Sequence, residues 1–182
     1  SGMPAAKTVT VGITKEPMRP AVLEALRAEP LVAAVAASWP AAITGPAAAI
    51  AETGGAKTTI AYRFVSPEYF GVVDMPVVRG RAFRTEERAN NLGIAIVSQT
   101  AAQALWPNAD AVGRTVRLDA DPPFASTSVT VVGVVGDVAG FRLAPFQKAV
   151  VYLPGSSAEP RTALVARVHG DAERARQAIV TR

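Results

Sequence analysis

The chain has 182 residues, 49% of them apolar, with 19 Lys and Arg against 15 Asp and Glu and a formal charge of +4. That length supports one large domain or two small ones with a real core. No Cys excludes disulfides and thiolate metal sites, a single His argues against a His-based zinc site, and basic residues scattered among acids lack the clustered footprint of a nucleic-acid binder.

Thr8–Ile13 (TVTVGI) alternates as a strand does. MRPAVLEALRAEP, residues 18–30, predicts a helix: Pro20 sits near its start, Val22, Leu23 and Leu26 share a face, and Pro30 ends it. LVAAVAAS (31–38) reads as a strand and WPAAITGPAAA (39–49) as a Pro- and Gly-broken loop. ETGGAK (52–57) is a hairpin turn rather than a phosphate loop, because Ala56 separates Gly55 from Lys57 and the upstream Gly is missing. KTTIAYRFV (57–65) then alternates, with Ile60, Tyr62 and Phe64 on one face and Thr59, Ala61 and Arg63 on the other.

SPEYFGVVDMPVVRGRAF (66–83) follows: Ser66 suits a helix cap, Pro67 the first helical position, and Tyr69, Phe70 and Val73 one helical face. Arg79 and Arg81 flank Gly80; they either pair with Glu86, Glu87 or Asp74 to shape a turn, or contact a partner domain. After the charged turn RTEERANN come a buried strand, LGIAIVS, and a short helix capped by Ser98 and ended by Pro107. Val116 and Leu118 face one side of the next strand. TSVTVVGVVGDV (127–138) is the strongest strand. Its two glycines lack the third glycine and following helix of a dinucleotide site, so Gly133 marks a bulge or a close backbone approach. KAVVYLP, halted by Pro154, and RTALVARVHG are further strands, and Asp171 caps a last helix with Ala175 and Ile179 on one face.

Strands and helices mix without strict alternation, which predicts an α+β fold rather than a doubly wound parallel sheet. The ends, each β-α in form, are expected to share a layer, with the middle as an inserted lobe. No nucleophile, base and orienting group come together. His169 reads as a solvated strand-end residue, Asp137 as a turn residue or partner of Arg142, and Trp39 and Trp106 as apolar anchors. No catalytic, cofactor or metal residue is singled out. No apolar run approaches the roughly 20 residues of a membrane-spanning helix, and the opening SGM reads as the scar of a fragment cut from a larger protein.

VSPEYFGVVDMPVVRGRAFRTEE, IAIVSQTAAQALWPNADAVGRTVRL, VTVVGVVGDV and VYLP, in that order, resemble the MacB-like extracytoplasmic (periplasmic core) domain of FtsX-family ABC transporter permeases. The preceding VLEALRAEPLVAAVAASWPAAITG is similar to the matching segment of duplicated permeases, so the resemblance runs from about Val9 to Ile179. It implies a porter-like α+β lobe from residues 1–65 and 141–182 and an inserted sabre-like lobe at 66–140. It also implies structural roles for Ser66, Pro67, Tyr69, Phe70, Pro76, Gly80, Arg81, Trp106, Pro107, Gly113, Gly133, Asp137, Tyr152 and Pro154. Departures are RTEER after the GR turn, with Glu87 near the usual acidic step, Ser98 where Asn is frequent, and a short insert after Leu118. The chaperone-holding hook of lipoprotein-extracting members maps to no residues here.

The implied function is mechanical and non-catalytic. The domain would stand outside the cell membrane and relay motion driven by a cytosolic ATPase subunit to a substrate or partner protein. The implied partners are the membrane helices of the parent permease, a second permease half and a periplasmic protein, with no cofactor and no nucleic acid. A stand-alone peptide- or lipid-binding module is the alternative. The isolated domain is expected to be a monomer.

Overall fold

A computed structural model describes residues 7–41, 44–89, 91–122, 124–137 and 148–180. The elements in chain order are β1 (Thr8–Val11), a 3-10 turn (Glu16–Met18), α1 (Arg19–Ala28), β2 (Val32–Trp39), β3 (Ala47–Thr53), β4 (Ala56–Val65), α2 (Tyr69–Val72) and β5 (Val77–Gly80). Then come β6 (Ile94–Ser98), α3 (Gln99–Leu105), β7 (Thr115–Asp119), β8 (Thr127–Val135), β9 (Val150–Pro154), β10 (Ala163–Val168) and α4 (Ala172–Val180). The fold is α+β, with ten strands of the described residues in one sheet.

The hydrogen bonding closes on itself. β3 pairs with β4 and β7, β7 with β8, β8 with β6, β6 with β9, and β9 returns in parallel to β4. These strands form a closed barrel, which leaves no edge along its circuit. Period-two alternation decides what fills it. Ile60 and Tyr62, Val97, Val116 and Leu118, Val129 and Val131, and Val151 and Leu153 share one core, and small Ala49, Ala51 and Ala95 fit where the strands converge. α3 closes one side of this core with Ala101, Leu105 and Trp106. Trp39, Tyr62, Phe64 and Phe124 gather at another, with ring centroids 4.9–6.2 Å apart.

Outside the barrel lies a three-stranded sheet, ordered β1-β10-β2. β1 and β10, from the two ends of the chain, pair antiparallel from Thr8 opposite Arg167 to Val11 opposite Leu164. α1 lays Leu23 and Leu26 on Val35, Ala37 and Leu164, and α4 lays Ala175 on Val9 and Val168. This sheet meets the barrel along a short seam, where β2 pairs with β4 only at Ser38–Val65 and Trp39–Phe64. α2 fills the space beside the seam with Tyr69, Phe70 and Val72, packed against Ala36, Ala61, Val65, Tyr152 and Val165. β3 and β4, which belong to the first segment of the expected outer lobe, thus hydrogen-bond to β7 and β9.

Local readings differ from the structure in two places. Ala47–Thr53 is a strand where a loop and turn are expected, so the hairpin loop shrinks to Gly54 and Gly55, both at positive φ (54° and 85°) as a tight two-residue turn requires. α2 is a single turn beginning at Tyr69, and Ser66 does not cap it.

Candidate functional site

Apart from Pro107, the residues singled out from the sequence fall into three groups around the barrel. The first is the corner after β4. Ser66, fully buried, accepts a hydrogen bond on Oγ from the Ala37 N–H (2.9 Å), while its own N–H donates to the Ala37 carbonyl (3.0 Å). It therefore extends the seam rather than starting a helix. Pro67 follows in the turn, and Tyr69 N–H closes it on the Ser66 carbonyl (3.0 Å). Phe70 stands edge-on to Tyr69 (5.8 Å, 83°) and to Tyr152 of β9 (5.1 Å, 82°), with Phe83 6.0 Å away. Burial raises the Tyr152 phenol well above its usual range, and among the described residues its hydroxyl donates to the Met75 sulfur, at 3.7 Å. Pro154, buried at the end of β9, lies opposite Val65.

The second group is a backbone crossing. β5 returns along β8, and the register slips in both the β5–β8 and the β6–β8 pairing. Gly80 sits at φ 66°, and a Cβ there would lie 2.2 Å from the Val132 carbonyl oxygen. A Cβ on Gly133 would lie 2.1 Å from the Arg81 carbonyl oxygen. The two glycines let the strands pass at a distance that no side chain allows. Gly113, at φ 87°, ties the same place by donating from its N–H to the Val131 carbonyl (2.8 Å). Arg81 leaves the crossing to form two 2.9 Å hydrogen bonds with Glu87, which also accepts from the Arg84 N–H. These bonds, the Arg81 pair foremost, hold the Glu87 carboxyl below its usual range. Of the two readings of the arginines, Arg81 takes the turn-shaping one, while Arg79 pairs instead with Asp110 (2.7 Å).

The third group braces α3. Ser98 caps it, accepting from the Ala101 N–H (3.1 Å) and the Val150 N–H (3.1 Å) and donating to the Lys148 carbonyl (2.6 Å). Asp137 accepts from the Thr100 hydroxyl (2.9 Å), and Pro76 receives the Gly136 N–H on its carbonyl (2.9 Å). Arg142, the sequence-based partner of Asp137, lies outside the described residues. Trp106 ends α3 in the barrel core, and Pro107 follows it exposed and apart from all three groups. Between α3 and β5 a groove of about 510 Å³ opens over Trp106, with Gln99, Gln103 and Asn108 along it and the Arg79–Asp110 pair at its rim.

Two arginines of structural weight escape the sequence reading. Arg19, almost fully buried, donates to both Glu16 oxygens (2.8 and 3.1 Å), the Ser157 carbonyl, and the Thr162 hydroxyl and carbonyl. It staples the start of α1 to the turn before β10. With the Arg161 N–H also donating to it, Glu16 is lowered to about 2, the Arg19 hydrogen bonds being the main cause. The i,i+3 spacing of Glu16 and Arg19 is its only local signal. Arg63 lies buried on the outward face of β4 and donates to the Pro40 carbonyl; alternation alone points it toward solvent. His169 is exposed at the end of β10.

Chemically, the acids displaced from their ordinary range are held by arginines or backbone N–H groups, as salt-bridged structural carboxylates are. Among the described residues there is no group of three or more His, Cys, Asp or Glu placed to hold a metal ion, and no helix is long and apolar enough to cross a membrane.

Residues 3–182 match the family model of the MacB-like periplasmic core domain. No curated protein matches the sequence. Among solved structures, the periplasmic region of MacB from Actinobacillus actinomycetemcomitans is similar over 96% of this chain and 79% of its own, at 14% identity and a TM-score of 0.66. The extracellular domain of the noncanonic ABC-type transporter YknZ from Gram-positive bacteria is similar over 93% and 87%, at 17% identity and a TM-score of 0.62. Both share the fold. The chain belongs to the family of MacB-like periplasmic core domains, the extracytoplasmic domains of MacB/FtsX-like ABC transporter permeases.

Proposed function

We propose that the domain is a non-enzymatic relay, standing outside the cell membrane and passing the motion of a parent permease, driven by a cytosolic ATPase subunit, to a substrate or partner protein. One observation carries this reading. Both ends of the described chain pack together on the outer sheet, with β1 against β10 and α4 against β1, while the closed barrel lies beyond a seam of two ladder pairs and the apolar layer under α2. A permease holding the domain at both ends grips the outer sheet, and the barrel then moves as a body about the seam. Hinge motion of this kind needs rigid parts joined by a narrow, discrete connection.

The expected lobes, residues 1–65 with 141–182 and residues 66–140, are kept as a proposal in this sense: both contribute strands to the barrel, and the seam is the mechanical boundary. A second permease half and a periplasmic protein are proposed partners. The placement is tested by converting exposed Leu92 to Cys in the parent protein, with any cysteine outside this domain replaced, since the domain itself has none. A membrane-impermeant maleimide added to intact cells, with the outer membrane permeabilised where one exists, should label it. Labelling only after the cell membrane is broken would overturn the placement.

A further inference from the structure

The groove between α3 and β5 combines an open strand edge with polar groups that the chain leaves unused. Its volume of about 510 Å³ falls within the range of ligand pockets. β5 forms one wall. It pairs with β8 alone, so among the described residues its other edge has no strand partner. Val78 of β5 is 45% exposed at the groove, whereas its neighbour Val77 joins the apolar layer under α2.

α3 forms the facing wall. Gln99 and Gln103 are one helical turn apart, so they share a face and stand about 6 Å apart along the axis. Peptide groups on one side of an extended strand recur every second residue, about 6.6 Å apart. The two spacings are close enough for side-chain torsions to absorb the difference. A carboxamide donates and accepts at once, as a peptide group does. Asn108, beyond the end of α3, supplies a third. Among the described residues none of these three carboxamides has a hydrogen-bond partner. The charged side chains lining the groove, Arg79 and Asp110, pair with each other at 2.7 Å. A charged occupant would therefore lose hydration and gain no partner of opposite sign. Trp106 is only 9% exposed, which leaves too little bare ring for a sugar to stack on.

We propose that this groove takes an extended, uncharged stretch of a second polypeptide. The stretch lies along α3, with alternate peptide groups on Gln99 and Gln103 and apolar side chains against Val78 and Trp106. Recognition is through the backbone, so an uncharged extended sequence suffices. The site stands on its own geometry and does not depend on the relay reading.

The probe is an acetylated, amidated hexapeptide in which Ser or Thr alternates with Val. Titrated to millimolar concentration into the isotope-labelled chain, it should shift the side-chain amide signals of Gln99, Gln103 and Asn108 and the Trp106 indole N–H, and the shifts should saturate. The same peptide N-methylated throughout, stripped of its backbone donors, should leave those signals in place. Gln103→Ala should weaken binding roughly fivefold, and Gln99→Ala with Gln103→Ala about tenfold or more. Both glutamines are exposed and alanine is the stronger helix former, so the variants keep the fold. No shift at these signals, an equal shift with the N-methylated peptide, or unchanged affinity in the double variant would overturn the site.

Discussion

At the scale of single residues, the sharpest features are the two glycines where β5 crosses β8. Gly80→Ala and Gly133→Ala each drive a methyl into a backbone carbonyl that cannot step aside, and each should destabilise the domain by roughly 3 kcal/mol or more in urea unfolding. Gly71→Ala is the control. It meets open space within α2, so it should be neutral or stabilising by about 0.5 kcal/mol. Equal losses at all three positions would refute the close-approach account. The acids give a second residue-scale prediction. Glu16 titrates near 2 when folded, against 4.5 as its ordinary value, and Glu87 and Asp110 are also lowered. Between those values the unfolded chain binds more protons, so stability is present above about pH 4.5 and is lost as pH falls toward 2. Glu16→Gln should flatten that part of a pH–stability profile; an unchanged acid limb would contradict the Arg19 staple. Gly133 was readable from the sequence as a bulge or close approach because a Gly inside a strong strand has few other uses. Ser66 was misread because Ser-Pro fits a local cap, whereas the Ala37 N–H that claims its oxygen is distant in sequence. Arg63 was missed because alternation assumes one wet face, whereas the barrel core fills one face of β4 there and α2 covers the other.

Among the elements, α3 has the most closely specified start. Ser98 Oγ satisfies two N–H groups and one carbonyl, joining β6, α3 and β9 at one buried atom. Ser98→Ala removes the cap and strands the other partners, and should cost about 2–3 kcal/mol. A loss below about 0.5 kcal/mol, the usual range of a surface substitution, would mean that the hydroxyl is not the organising group. This helix was legible because its cap, apolar face and terminating Pro107 are all local. β4 was legible through its alternation. β3 was not: Ala47, Ala48, Ala49 and Ala51 carry no apolar contrast from one face to the other, Ala has weak strand propensity, and Gly45-Pro46 suggests a loop. What makes β3 a strand is the partners on either side of it, β4 and β7.

For the molecule as a whole, element order foretold α+β but not the barrel, because closure depends on β4 meeting β9 across some ninety intervening residues in parallel register, Ala61 opposite Val150. No local pattern encodes that pairing. The resulting division into a closed barrel and an outer sheet carrying both ends underlies the relay proposal, and the seam between them is where it is most exposed to test. Ser38 and Val65 face each other there, next to the hydrogen-bonded Ala37–Ser66 pair, and so occupy a non-hydrogen-bonded position whose Cα spacing of about 4.5 Å suits a disulfide. The domain itself has no cysteine, and any in the rest of the permease is replaced beforehand. The decisive measurement is substrate export by the parent permease carrying Ser38→Cys and Val65→Cys, compared oxidised and reduced. If the barrel moves about this seam, oxidation should stop export and reductant should restore it, with each single-Cys variant unaffected by either treatment. Export at the same rate with the disulfide fully formed would contradict the relay.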